Sequence, residues 1–184
     1  MITARRVSTA LKPFANKTLE FLRLRTPRFG PGQNATFYSI SSPPSVGEGA
    51  RFSNGTIMEN DYFSLANISG ALFEPKYIKD SEFCFANISN SIFRNHTISH
   101  SNFYEAKVTY SWFENMVIEN CNFSGCDLTG NNYENVTFKN CCFDGAYVYA
   151  KDKKSGRKII VEEENALLNY LTNGCGVTYE ATLF

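Results

Sequence analysis

Ala66-Asn67-Ile68-Ser69-Gly70 and, twenty residues on, Ala86-Asn87-Ile88-Ser89-Asn90 are one pentapeptide written twice with a single change. Counting in fives shows them to be links of a longer series. Phe63, Ile68, Phe73, Ile78, Phe83, Ile88, Phe93, Ile98, Phe103, Val108, Phe113, Ile118, Phe123, Leu128, Tyr133, Phe138, Phe143 and Val148 are all Phe, Ile, Leu, Val or Tyr. Those five types make up about one third of residues 61–150, so an unbroken run of eighteen has a chance probability on the order of 10⁻⁸. Neither the 3.6 period of a helix nor the 2.0 period of a strand accounts for it.

Sorting the centres by twenty separates them into four ladders. One is Phe63, Phe83, Phe103, Phe123, Phe143; another is Phe73, Phe93, Phe113, Tyr133. Between them run Ile68, Ile88, Val108, Leu128, Val148 and Ile78, Ile98, Ile118, Phe138. Aromatic rings on two opposite walls and mainly aliphatic side chains on the other two would fill a square interior, with neighbouring coils about 4.8 Å apart. Eighteen repeats then make four and a half coils, a prism roughly 20 Å long. Two residues before each centre the sequence is mostly small: Ala66, Ala71, Ser81, Ala86, Ser91, Ser101, Ala106, Ser111, Cys121, Cys126, Cys141, Ala146. Small residues at this second inward position let the corners close. Asp61, Lys76, His96, Met116, Asn131 and Val136 are the exceptions. Phe52 and Ile57, preceded by Ala50 and Gly55, read as two further repeats, and the six-residue step from Ile57 to Phe63 predicts a bulge there.

The repeat resembles the pentapeptide-repeat family, whose consensus is A-(D/N)-(L/F)-X-X; Cys126-Asp127-Leu128-Thr129-Gly130 matches it as closely as the two opening segments. The resemblance covers about half the chain. It implies an all-β solenoid, a right-handed quadrilateral parallel β-helix, over residues 51–150. For function the resemblance is weak, because one fold serves many roles.

Open solenoids expose a sheet edge and a cut core and so require caps. Residues 151–184 read as that cap: a basic turn and short strand over 151–160, then a helix at about 162–172. Three Glu open the helix, Leu167, Leu168 and Leu171 form its apolar face, and Asn173-Gly174 stops it. The same helix is an alternative homodimer or partner contact. Residues 1–50 are a basic, partly helical or flexible N-terminal segment, with Gly, Ser and Pro gathered over 30–50 as a linker. An amphipathic helix is expected at 14–24, where Leu19, Phe21 and Leu22 stand beside Arg23 and Arg25 between Pro13 and Pro27. Three readings of this segment stand: an export signal of the type III kind, a presequence-like composition, and a helix packed on the solenoid.

Net charge is zero but unevenly placed. Residues 1–47 hold seven Lys/Arg and one Glu, whereas residues 61–150 hold ten Asp/Glu and five Lys/Arg. No apolar run reaches transmembrane length, and no secretory signal is legible. The expected location is therefore the bacterial cytoplasm, or a host cell reached by a signal-less route, with the six cysteines reduced.

No catalytic or metal-binding constellation is legible, and neither an enzyme nor a cofactor is expected. Cys121, Cys126 and Cys141 fall on inward slots that want small apolar residues. Cys84 and Cys142 point outward without a neighbouring base, and Cys175 is the lone tail cysteine. His96 falls inward and His100 lies on the same wall, with no paired acid or nucleophile. Eight Asn-x-Ser/Thr sequons, at Asn16, Asn34, Asn54, Asn67, Asn87, Asn95, Asn122 and Asn135, read as by-products of the repeat.

The outward positions say more. Leu72, Ile92, Trp112 and Asn132 precede the centres of one wall at twenty-residue spacing, which predicts an exposed apolar stripe; Glu74, Arg94, Glu114 and Glu134 flank it. Such a patch marks a contact, with the chain's own N-terminal segment or with a partner. On another wall Asn102 and Asn122 are placed to form an amide ladder. The function expected is a non-enzymatic protein–protein interaction scaffold. By resemblance to pentapeptide-repeat effectors of Gram-negative pathogens, that scaffold is a type III secreted virulence effector acting on a host or bacterial protein. Two alternatives come from the same family: a DNA-mimicking topoisomerase-binding protein, and the substrate-recognition part of a HECT-like bacterial ubiquitin ligase. The first needs a continuous negative track to match duplex phosphates, and five interrupting cations work against it. Direct nucleic-acid binding is not expected.

Overall fold

The computed structural model describes residues 28–29, 49–151 and 156–181; the helix expected at 14–24 and most of the 30–50 linker lie outside them. The chain winds as a parallel β-solenoid of four walls. Wall 1 carries the Phe63–Phe143 ladder and wall 2 the Ile68–Val148 ladder, both held by isolated parallel bridges: Tyr62–Glu82–Asn102–Asn122–Cys142 and Asn67–Asn87–Lys107–Asp127–Tyr147. Walls 3 and 4 are true strands. On wall 3, β1 (Arg28–Phe29), β2 (Arg51–Phe52), β4 (Leu72–Phe73), β6 (Ile92–Arg94) and the first halves of β8 (Trp112–Glu119) and β9 (Asn132–Lys139) pair in sequence. On wall 4, β3 (Ile57–Glu59), β5 (Tyr77–Lys79), β7 (Thr97–Ser99) and the second halves of β8 and β9 do the same.

The aromatic ladders stack at the strand spacing. Successive ring centroids on wall 1 are 4.8, 4.7, 4.8 and 5.5 Å apart from Phe63 to Phe143, all nearly parallel. On wall 3 they are 4.6, 4.3, 5.0 and 5.3 Å apart from Phe52 to Tyr133. The twenty-residue coil thus makes each ring its neighbour's packing partner, and the core is one continuous column.

The second inward position does more than leave room. Ser91 Oγ accepts the Ala71 N–H at 3.1 Å, Ser111 Oγ accepts that of Ser91 at 3.1 Å, and Asn131 Oδ1 accepts that of Ser111 at 2.9 Å. A buried amide hydrogen at the corner would otherwise lack a partner, so a small polar residue serves where size alone would admit alanine. Every fifth residue from Asn60 to Gly145 has left-handed backbone, with Pro75 the one exception. Most of these corner residues are Gly or Asn, which tolerate that region best.

Two expectations are corrected. The solenoid's first step falls between Phe52 and Met58, because Met58 and not Ile57 is the inward centre: Phe52 pairs with Phe73 but Met58 pairs with Ile78. A tight turn closed by Thr56 N–H to Ser53 O (3.0 Å) takes up the extra residue, and in a strand a one-residue shift turns each side chain over. From Met58 to Phe63 the five-residue period is intact. Lys76 does not share the inward ladder of His96, Met116 and Val136; it is exposed while Pro75 is buried. Proline holds φ near −65° and cannot make the left-handed corner, so this corner is built differently.

The C-terminal end closes on itself. β10 (Val148–Lys151) pairs antiparallel with β11 (Lys158–Val161). Helix α1 (Glu164–Asn169) follows, its end N–H groups capped by Glu163, whose Oε2 accepts from Ala166 N at 3.0 Å. It runs into a π-helical turn (Tyr170–Gly174), so the helical stretch starts and stops about two residues later than the sequence suggests. Leu167, Leu171 and Val177 are buried on the cut end of the core. β12 (Thr178–Glu180), which the sequence did not announce, then adds to β9 with Tyr179 opposite Phe138, and Lys139 Nζ meets Glu180 Oε2 at 3.1 Å.

Candidate partner-binding face

Wall 3 presents the stripe in register. Leu72, Ile92, Trp112 and Asn132 are successive Cα partners. Leu72 is half-buried, Ile92 is 40% exposed and Trp112 52%. Because strand residues alternate, Phe93 and Phe113 inside the core fix Ile92 and Trp112 outside. The flanking charges divide into two pairs. Arg94 Nε binds the Glu74 carboxylate at the N-terminal end of the stripe. Below them Glu114 and Glu134 stack as direct partners, and among the described residues neither has an ion pair. Like charges one strand apart repel, so this pair favours an incoming cation. At its C-terminal end the stripe opens into a cleft of about 540 Å³ bounded by Trp112, Asn132, Tyr133, Glu134, Gly174 and Cys175. Burial raises the Cys175 thiol above the ordinary cysteine range, so it lines the cleft as a neutral side chain.

The groups weighed for chemistry stay apart. His96 is inside the core and His100 is exposed on the outer side of the same wall. His96 Nδ1 lies 2.9 Å from Arg94 O, Nε2 has no hydrogen-bond partner, and burial pushes its pKa down to about 4. Burial and the adjacent Glu82 raise Cys84 to about 11, and burial raises Cys126 to about 12. Cys121 is pushed up by the hydrogen bond it shares with Cys141 and by burial. All six cysteines are free. Among the described residues no three His, Cys, Asp or Glu converge on a metal-sized space, and no helix is long and apolar enough to cross a membrane.

The sequons have a structural use. Asn87 Nδ2 donates to Asn67 Oδ1 at 3.0 Å and Asn122 Nδ2 to Asn102 Oδ1 at 3.1 Å, while the Oδ1 atoms of Asn87 and Asn122 accept from Ser89 and Ser124 two residues on. Asn, centre and Ser thus form one hydrogen-bonded unit. Asn95, Asn115 and Asn135 make a second ladder along a corner.

One surface escaped the sequence reading. Leu65 and Phe85 stack at the corner of walls 1 and 2, 54% and 48% exposed, with φ of 64° and 58°. Phe85 meets Tyr104 edge-on at 5.6 Å. The signal was the fifth position of the repeat: two apolar residues stand where Gly and Asn otherwise prevail. Left-handed backbone costs an ordinary L residue roughly 1–2 kcal/mol. Leu65→Asn is therefore expected to raise the unfolding free energy by about 0.5–1 kcal/mol, read as a higher denaturant midpoint. A lower midpoint would show that Leu65 packs more than its exposure implies.

The architecture defines the class: a four-walled parallel β-helix with five residues per side. Residues 113–145 match the family model described as pentapeptide repeats (8 copies). That stretch of the solenoid is similar to the pentapeptide-repeat family. Among solved structures the chain is similar to a trypsin-treated form of QnrB1, a plasmid-mediated fluoroquinolone resistance protein, at 15% identity and TM-score 0.30, covering 66% of this chain and 68% of that one. It is also similar to Rfr23 from the cyanobacterium Cyanothece 51142, at 17% identity and TM-score 0.23, covering 71% and 99%. A third is HetL, involved in heterocyst differentiation regulation in Nostoc sp. strain PCC 7120, at 12% identity and TM-score 0.23, covering 71% and 64%. No curated protein matches the chain.

Proposed function

We propose that the chain is a non-enzymatic protein-binding scaffold and that wall 3 is its contact face. One observation carries the reading: Trp112, the chain's single tryptophan, stands half exposed in an in-register apolar stripe beside two stacked carboxylates that have no ion pair among the described residues. Tryptophan is the residue type most enriched among energetic anchors of interfaces. The partner element that fits is apolar on one side and cationic beside it. The basic, acid-poor residues 1–47 fit delivery of such a scaffold by a signal-less, type III-like route as a secreted bacterial effector. The DNA-mimic alternative lacks a comparable observation, since Lys76, Lys79, Arg94, Lys107 and Lys139 interrupt the negative charge of the solenoid.

The test is affinity capture with the full chain against the same chain carrying Trp112→Asp. Loss of an anchor worth about 2 kcal/mol or more weakens a specific partner about thirtyfold or more. Circular dichroism should be unchanged, because the indole faces outward. Equal capture by both proteins would remove wall 3 as the contact face.

A further inference from the structure

We infer that the cleft between wall 2 and the β10–β11 hairpin binds a small ligand that joins a phosphoryl group to a planar ring, a nucleoside monophosphate in chemical class. The cleft shares no residue with the wall-3 stripe and does not depend on that stripe's role.

The cleft encloses about 370 Å³, at the lower end of the range for small-molecule sites. Its charge runs against the rest of the solenoid. Residues 61–150 hold ten Asp/Glu and five Lys/Arg, yet Lys107, Lys151 and Lys158 line this space with Asp127 as the one acid beside them. Asp127 is engaged locally, its Oδ1 accepting the Thr129 N–H at 3.0 Å. Among the described residues none of the three lysines has an ion pair. Lys151 and Lys158 are moreover direct partners in the antiparallel pair, and like charges set opposite each other destabilise a sheet. A bound dianion removes that repulsion. Three lysines against one acid leave two positive charges, and a phosphate monoester carries about −1.5 to −2 at neutral pH.

The ring follows from Tyr110 and Tyr149, which line the same cleft. In the corner column Gly70, Asn90, Tyr110, Gly130, Ala150, Tyr110 is the single bulky residue, and it holds a left-handed backbone (φ 54°) that Gly or Asn adopts more easily. Gly130 makes room for it: a Cβ there would lie 2.5 Å from Tyr110 Cδ1. The ring thus rests against the glycine on one side and, 62% exposed, is open on the other. Tyr149 stands on the same hairpin face as Lys151, with Lys158 Nζ 4.0 Å from its ring centroid. Aromatic faces are what a nucleobase stacks on, and lysines are point-charge partners for its phosphoryl group. Thr129, nine-tenths buried, adds a donor: its Oγ1 accepts the Tyr149 N–H at 2.9 Å, which leaves the hydroxyl hydrogen for the ligand.

Isothermal titration calorimetry of the full chain with adenosine 5′-monophosphate, adenosine and inorganic phosphate tests this, alongside Lys151→Gln/Lys158→Gln and Tyr110→Asn. The full chain is expected to bind the monophosphate with a Kd below about 1 mM, and adenosine and phosphate each about tenfold more weakly or worse. The lysine double variant should lose about tenfold or more in affinity for the monophosphate. Without ligand it should melt at the same or a higher temperature, because the cross-strand repulsion is gone; a lost site therefore cannot be mistaken for a lost fold. Tyr110→Asn should weaken the monophosphate about fivefold or more and leave phosphate binding unchanged. Absence of binding to the full chain at concentrations about tenfold above that Kd overturns the inference, as does equal affinity in all three proteins. Equal affinity for phosphate and monophosphate overturns the ring. A polyglutamate peptide that binds as tightly as the monophosphate also overturns it, in favour of an acidic protein segment.

Discussion

Phe103→Ala is expected to lower the unfolding free energy by about 3–5 kcal/mol, the largest single loss among the centres of the middle coils. Phe103 is 2% exposed and lies between Phe83 and Phe123 at centroid distances of 4.7 and 4.8 Å. Truncation removes the ring from water-free surroundings and also opens a void that neighbouring coils cannot fill, because their spacing is set by backbone hydrogen bonds on both sides: Phe103 N–H to Asn122 O at 2.7 Å and Phe83 N–H to Asn102 O at 2.7 Å. A core that cannot collapse suffers the upper end of the cavity cost. Phe103→Leu, which keeps much of the volume, should lose less than half as much. Denaturant unfolding of the three proteins checks this. A loss under about 1 kcal/mol for the alanine variant would mean that the column does not act as one packed unit.

His96→Met is expected to remove most of the acid sensitivity of the fold. His96 fills an inward slot above Met116, its Nδ1 bonded to Arg94 O and its Nε2 without a partner. Burial lowers its folded pKa from 6.5 to about 4; the Arg94 carbonyl and the Glu74 carboxylate pull weakly the other way. The unfolded chain therefore takes up a proton near pH 6.5 that the folded chain refuses until about pH 4. Stability is fully present above the unfolded value and falls as the pH drops through that window, by about 3 kcal/mol at the lower end. Methionine does not titrate and matches the residue one coil below, so the variant's stability should vary over this range only with the carboxylates. Unfolding free energies of both proteins from pH 7.5 to 4 decide the matter, and parallel profiles would show that His96 is solvated. At neutral pH the variant should also be the more stable, since a buried ring nitrogen without a partner is itself a cost of about 1–2 kcal/mol.

What could be read from the sequence follows from which constraints are periodic. Phe63 to Val148 were legible because one residue in five must fill the core and one in twenty must stack. The outward stripe through Ile92 and Trp112 was legible by the same addition. Met58 was not: Ile57 and Met58 are both apolar, and only the length of the Ser53–Thr56 turn decides which faces in. Lys76 was misplaced because a proline at the corner changes the path of one side, and a pattern of types carries no such backbone information. The corner at Leu65 and Phe85 was present in the sequence but sat at the fifth position, where Asp80, His100, Glu105 and Tyr110 also depart from Gly and Asn, so that two further departures are hard to see. The cleft beside Trp112 and the strand β12 depend on how an aperiodic tail folds back, and no repeat encodes that.

That returning tail also bears on self-association. A stack of identical coils has no intrinsic length, since each new coil offers the next the same ladder of amides and carbonyls, as the growing end of an amyloid fibril does. Here Tyr179 takes the place that a further coil would fill on wall 4, while α1 sits over the end of the column. A second prism cannot seat flush on that end. Residues 164–180 thus occupy the edge that would otherwise template another coil.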